Sequence, residues 1–314
     1  MANRYVLDLI INAKDNASGA LDQVGKGLGG VGKMATGLAV GGLAVVGTAL
    51  AATGAAAFST ANQIDEAGDQ MAAALDLPQE EARAFEETLR GVYRNNFGGG
   101  FDDIAESIVQ VESNLRRLSD RSQTDLQSMT EDALALRDVY GEGVNETTSA
   151  AATLMENFGL SSDEAMDFIA AGFQRGLNAS GDFLDTIGEY AVQFKDGGAS
   201  AGQFFGILES GMQGGMLGTD KAADLFKEFR VRIQDGSKTT SEALTALGID
   251  SEQMAEAMAD GSMTAVAAFR QVLRQLQETD DANLRMQAGV GLLGTQVEDL
   301  GQSEVVGLDD IREE

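Results

Sequence analysis

From Met34 to Phe58 the chain reads MATGLAVGGLAVVGTALAATGAAAF, and no charge appears until Asp65. Ahead of it, Val6, Leu7, Leu9, Ile10 and Ile11 form a short apolar run rich in β-branching, which predicts a strand. Asp15, Asn16 or Ser18 offers a cap for a following helix. That helix would place Ala17, Ala20, Leu21, Val24 and Leu28 on one narrow face. From about residue 62 the spacing becomes that of ordinary amphipathic helices. Pro78 and the acids after it mark one helix start. Ile104, Ile108, Val111 and Leu115 share one face of a second helix, and Leu126, Met129, Ala133, Leu136 and Tyr140 share one face of a third.

The next section repeats itself. GLSSDEAMDFIAAGFQRGLNASGDFLDTIGEY (159–190) aligns without a gap on GASAGQFFGILESGMQGGMLGTDKAADLFKEF (198–229), at an offset of 39. Such a period suits a helix-turn-helix unit. Ser161 and Ser200 would start the first helix of each unit, and Ser180 and Thr219 the second. The shared Gly-x-Gln-x-Gly element would end the first helix, so Gly172, Gly176, Gly211 and Gly215 are the candidate packing residues. LPQEEARAF and GIDSEQMAEAM echo the start of the unit more loosely. The fold expected is mainly α: a short N-terminal strand, a Gly/Ala-rich apolar helix, then short amphipathic hairpins with an internal repeat of period 39. The segments are 1–30, 31–61, 62–150, 151–235 and 236–314, the last ending in QSEVVGLDDIREE as if the chain continued.

Composition sharpens this. The formal net charge is −28, but residues 1–60 carry a net +1, so the rest carries −29. Sequence-independent nucleic-acid binding draws on clustered Lys and Arg, and no such cluster is present. Without Cys or His there are no disulfides, thiolate metal sites or imidazole bases. No catalytic residue, cofactor or metal site is therefore expected. GLGGVGKM (27–34) has phosphate-loop spacing, but Met34 stands where the magnesium-binding hydroxyl belongs, and a helix rather than a strand precedes it. The carboxylate pairs Glu80-Glu81, Asp102-Asp103, Asp280-Asp281 and Asp309-Asp310 suit helix starts and solvated faces. Met155, Met166, Met212, Met216, Met254, Met258 and Met263 read as core filler.

The stretch 34–58 is long enough, at ~1.5 Å per residue, to cross a hydrocarbon core of ~30 Å. Gly37 and Gly41 form a small-xxx-small contact, and Leu38, Leu43, Val46, Leu50 and Phe58 supply apolar surface. The balance is close. The apolar side chains favour insertion by about 2–4 kcal/mol, while five glycines cost a helix about 4–5 kcal/mol relative to alanine. This predicts a segment held against protein and inserted later. A signal peptide, a permanent single span and a buried small-residue helix remain alternatives. Against the first stand the length before the apolar run and the three aspartates within it.

The opening YVLDLIINAKDNASGALDQVGKGLGGVGKMATGLAVGGLAVVGTALAATG, with its A-x-D-x-A-S-like turn at 13–18, resembles the N-termini of phage tail tape measure proteins. FLDTIGEYAVQFKDGGASAGQFFGILESGMQGG and DKAADLFKEF resemble the helical repeats of that family, and the likeness covers roughly residues 1–235. The resemblance implies a structural, non-enzymatic protein in the lumen of a phage tail, whose extended length sets tail length while tube subunits polymerise around it. It implies tail tube protein, assembly chaperones and tail tip or baseplate proteins as partners, self-association, and no sequence-specific nucleic-acid binding. It places the protein in the host cytoplasm during assembly, in the virion afterwards, and at the host membrane during genome ejection. Short, weakly packed helices joined by glycines would stretch at modest cost. The family's long heptad sections are missing here, which suggests an N-terminal portion. A membrane-active pore-forming or injected bacterial effector is the alternative; a muralytic enzyme would need a lytic domain beyond Glu314.

Overall fold

The computed structural model describes residues 62–121 and 125–299. The predicted N-terminal strand, the apolar segment with Gly37, Leu38, Gly41, Leu43, Val46, Leu50 and Phe58, the phosphate-loop-like string and the C-terminal tail lie outside the described residues. Within them the chain is mainly α-helical, as the periodicity predicts. It divides into two compact units, residues 1–148 and 149–314. Residues 151–235 and 236–299 thus fall in one unit.

In the first unit a helix over 62–75 (α1) leads to α2 (Gln79–Arg94), α3 (Phe101–Leu115) and α4 (Leu126–Tyr140). α5 (Val144–Phe158) begins there and continues into the second unit. The predicted face of α3 is wholly buried: Ile104, Ile108, Val111 and Leu115 are each 0% exposed. Met129, Ala133 and Leu136 of α4 are also buried, while Leu126 and Tyr140 at its ends are half-buried. Pro78 sits one residue outside α2, at its N-cap.

Polar anchors hold these helices where the apolar pattern alone would leave them free to slide. Glu112 is buried, and its carboxylate takes hydrogen bonds from Arg116 (3.0 Å) and Arg121 (2.8 Å). Arg116 in turn donates to the Leu75 carbonyl at 2.8 Å, closing the end of α1. Arg137 grips Asp103 through both guanidinium nitrogens, at 2.7 and 2.8 Å, which ties α4 to α3 in the bidentate geometry that makes such pairs strong. The Asn114 amide donates to Thr148 Oγ1 at 2.8 Å and secures the start of α5.

The second unit comprises the rest of α5, then α6 (Ser162–Gln174), α7 (Phe183–Asp196), α8 (Ala201–Gln213), α9 (Thr219–Asp235), α10 (Lys238–Ala246), α11 (Ser251–Ala259), α12 (Ala265–Glu278), α13 (Ala282–Leu293) and α14 (Gln296–Asp299). α9 is its hub, packing on α7, α8, α12, α13 and α14. Two glycines let α13 fit: a Cβ on Gly291 would lie 3.1 Å from Ala243 of α10, and one on Gly289 would lie 3.0 Å from Val297 of α14.

Packing in this unit is tighter than the sequence reading expects. Phe158, Phe168, Phe173, Phe183, Phe194, Phe204, Phe205, Phe226, Phe229 and Phe269 are all the phenylalanines of residues 149–314, and their rings form one connected network. Phe194 lies at its middle, 4.3 Å from Phe204 and 4.4 Å from Phe226 between ring centroids. Each buried ring removes apolar area worth about 1.5–3 kcal/mol from water, and each ring pair adds roughly 0.5–1.5 kcal/mol. The glycines do not loosen this core, because most of them stand in turns or at close contacts. Met155, Met166, Met216 and Met254 are buried in it, whereas Met212, Met258 and Met263 are half-buried.

Several helices, though not all, end by one device. A left-handed residue after the helix is followed by an apolar residue whose N–H reaches back to it, the Schellman arrangement. It closes α6 at Gly176, with Leu177 N donating to the Gly172 carbonyl, and α8 at Gly215, with Met216 N donating to the Gly211 carbonyl, both at 3.0 Å. The non-glycine residues with positive φ among the described residues, Asp76 and Asn96, occupy the same slot after α1 and α2. Three helices start directly after such a turn: Asp76-Leu77-Pro78 leads into α2, Gly198-Ala199-Ser200 into α8, and Gly248-Ile249-Asp250 into α11. This explains why LPQEEARAF and GIDSEQMAEAM echo the repeat. α11 has 9 residues where α6 and α8 have 13, one helical turn fewer.

Candidate functional site

Gly172, Gly176, Gly211 and Gly215, singled out in the sequence, each lie within one of the two repeated hairpins, whose first helices keep the offset of 39 in atomic detail. Ser161 and Glu164 form a reciprocal capping box at the start of α6, and Ser200 and Gln203 form the same box at the start of α8. A Cβ on Gly172 would lie 2.2 Å from Cζ of Phe183; one on Gly211 would lie 2.5 Å from Cβ of Ala222, the residue equivalent to Phe183. Gly172 and Gly211 therefore stand at close helix contacts. Gly176 and Gly215 instead supply left-handed turns, with φ of 79° and 93°.

The second helices start differently from the expectation. α7 begins at Phe183, not at Ser180, because the turn runs on through a second left-handed glycine, Gly181. Asn178 Oδ1 accepts from the Phe183 amide at 3.3 Å, and the Ser180 hydroxyl bonds the Asp182 carboxylate. α9 does begin at Thr219, but Gly218 holds the N-cap position and has no side chain to cap with. The cap comes from the other hairpin: Asp182 Oδ2 accepts the Asp220 amide at 2.9 Å. Beside it, the buried hydroxyls of Thr186 and Thr219 meet at 2.9 Å. A Cβ on Gly218 would lie 2.7 Å from the same Asp182 oxygen.

α7 and α9 run parallel from this point. At their far ends Arg230 donates to the Gln193 carbonyl (2.8 Å) and to Gln193 Oε1 (2.7 Å). Between the two ends Phe194 stacks on Phe226. The first helices of the hairpins are joined by Arg175 to Glu209 at 2.8 Å and by Phe168 against Phe205 at 5.0 Å. Asp182, Thr186, Arg230 and the ring network carry the seam, yet nothing in the local spacing marks them. The weak signal was the number of phenylalanines in the repeat section.

Charge at the seam is unevenly shared. Burial raises the Asp220 carboxyl above its ordinary value, and its hydrogen bond with Asp182 adds to the shift. Burial acts the same way on Asp182, but hydrogen bonds from the Asp220 amide, Ser180, Asp220 and Thr219 outweigh it and leave that carboxyl below its ordinary value. Burial, then the charges of Asp224, Glu189 and Asp220, also raises the Tyr190 hydroxyl. Asp220 is thus held less readily as an anion when folded than when unfolded, and its neutralisation favours the fold as pH falls toward its raised value. Asp182 contributes stability above its unfolded value, and this is lost as pH falls through its depressed folded value. Replacing Asp220 with asparagine is expected to raise stability at pH 7 by a few tenths of a kcal/mol, since the group is solvent-exposed. The gain should shrink as pH falls below the raised Asp220 value and vanish only below the ordinary carboxylate value of 3.8; a loss of stability at pH 7 would show the charge to be favourable.

The arrangement is one of helix packing. Among the described residues, no group of acidic side chains is placed to hold a metal ion, and no helix is long and apolar enough to cross a membrane. An open groove is bordered, among the described residues, by Lys238, Ser241, Glu242 and Thr245 of α10.

Residues 96–294, the last third of the first unit and most of the second, match the phage-related minor tail protein family, and the chain belongs to that family. Over 180 residues it is 41% identical to the "Probable tape measure protein" of Streptomyces phage phiC31, in a match covering 57% of this chain and 25% of that relative. The chain thus spans about a quarter of the length of the curated relative it matches. No solved structure matches.

Proposed function

We propose that this chain belongs to a tape measure protein: a structural, non-catalytic component of the phage tail whose length sets that of the tube. The observation that carries this is the 41% identity over 180 residues to a relative of that name. The N-terminal pattern of strand, amphipathic helix and Gly/Ala-rich apolar stretch supports it. The tail tube protein, assembly chaperones and a tail tip or baseplate protein are its partners in this reading, and it self-associates in the tail lumen. The acidic surface also suits the role, since a strongly anionic protein does not adhere to the DNA that follows it down the tube.

The ruler is tested by length. About 40 helix-forming residues inserted after Glu314 in the phage gene should lengthen the tail by roughly 60 Å at the helical rise. Tails of unchanged length in electron micrographs would overturn it. The apolar segment has its own role in this reading: it is sheltered in the tail and aids genome passage at the host membrane. Leu43→Asp combined with Val46→Asp should leave tail assembly intact and reduce DNA delivery at least tenfold, because each aspartate costs about 3 kcal/mol in a membrane-spanning helix. Full infectivity of that double variant would refute the membrane role.

A further inference from the structure

Resting on the ruler reading, we propose that residues 149–299 stay folded in the assembled tail, so that this stretch adds the width of a packed helical block to the ruler and not the contour of an extended helix. The difference is large. As one straight helix, roughly 150 residues would span about 225 Å. As a folded unit of ordinary compactness they have a radius of gyration of about 15 Å.

Three independent features of the unit resist extension. Its ten phenylalanines, drawn from α5 to α12, form one network, so pulling any hairpin away breaks ring contacts in its neighbours. The two parallel helices of the seam are pinned at both ends, by Asp182 on the Asp220 amide and by Arg230 on Gln193. The chain also reverses through left-handed residues at Gly176, Gly198 and Gly215, each closed by a backbone hydrogen bond back into the helix before it. The capping box at Ser200 stops α8 from growing backward through the Gly198 turn, and the box at Ser161 does the same for α6 at Gly159. A continuous rod would require every one of these junctions to be undone at once.

The buried contact of Thr186 with Thr219 supplies the test, because this chain has no cysteine to interfere. Thr186→Cys with Thr219→Cys places two thiols where the hydroxyls now meet, across 33 residues of chain. In a host with an oxidising cytoplasm, the disulfide-closed protein should assemble tails as long as those of the reduced protein. If the stretch is extended in the tail, closure removes about 50 Å of helical contour. Tails shorter by that amount, or assembly that fails until reductant is added, would overturn the proposal. A second variant guards against misfolding of the first: an extra copy of residues 198–236 inserted after residue 236. It should leave tail length unchanged, whereas tails longer by about 58 Å would count decisively against a folded block. The insertion after Glu314 separates the two claims. If it lengthens the tail while closure has no effect, both stand; if it leaves length unchanged, the ruler reading falls and the folded-block proposal falls with it.

Discussion

Phe194→Ala is expected to destabilise the second unit by about 3–5 kcal/mol, the usual cost of deleting a fully buried ring. Typical domain stability is only about 5–15 kcal/mol, so the loss would consume a large share of the total. The position of the ring sets the size of the effect. Phe194 is 0% exposed and lies between Phe204 of the second hairpin's first helix and Phe226 of its second. Truncation leaves a cavity whose walls are two further aromatic rings, and neither can collapse inward without abandoning its own contacts. Urea unfolding followed by helical circular dichroism should show a lower midpoint for the second unit with an unchanged slope. A loss below about 1 kcal/mol would mean that the network is not energetically shared.

Gly172→Ala should destabilise the same unit by roughly 1–2 kcal/mol, although alanine is the better helix former. Two effects compete. Removing a mid-helix glycine gains up to about 1 kcal/mol. Forcing a methyl into a filled site costs about 1–3 kcal/mol. Here the second wins, because the new Cβ would lie 2.2 Å from Cζ of Phe183, and that ring is itself held edge-on by Phe173 and Phe205. Gly188 is the internal control. It lies in the middle of α7 with nothing within 4 Å of an added Cβ, so the same substitution there should stabilise by about 0.5–1 kcal/mol. Opposite signs at the two positions are the expected result. Equal signs would show that space, as drawn from the contacts, does not govern these glycines.

The helices of the first unit were legible because their apolar residues recur at helical spacing, and Ile104, Ile108, Val111 and Leu115 all turn inward. The hairpin repeat was legible for a related reason. Capping boxes and left-handed glycines are short-range devices, so Ser161, Ser200, Gly176 and Gly215 carry their roles within a few residues of sequence. Local signals also misled. Ser180 has the right side chain for a cap, but Gly181 extends the turn past it and Asp182 takes the position. Thr219 has one too, yet it lies inside α9 and turns its hydroxyl to Thr186. The expectation of weakly packed hairpins differs from the structure because it weighed the glycines and not the rings, whose partners are set by which hairpins meet.

The sequence by itself determined the helical class, the inward faces of α3 and α4, the starts of α6 and α8, and the period of the repeat, since each depends on hydrogen bonds and side-chain spacing within a turn or two of the chain. Only the tertiary structure decided that Asp182 caps a helix 38 residues away, that Gly172 makes room for Phe183, and that ten separate phenylalanines form one core. Those contacts depend on which surfaces come together when the chain folds back on itself, and burial rewards any apolar partner about equally until shape selects one.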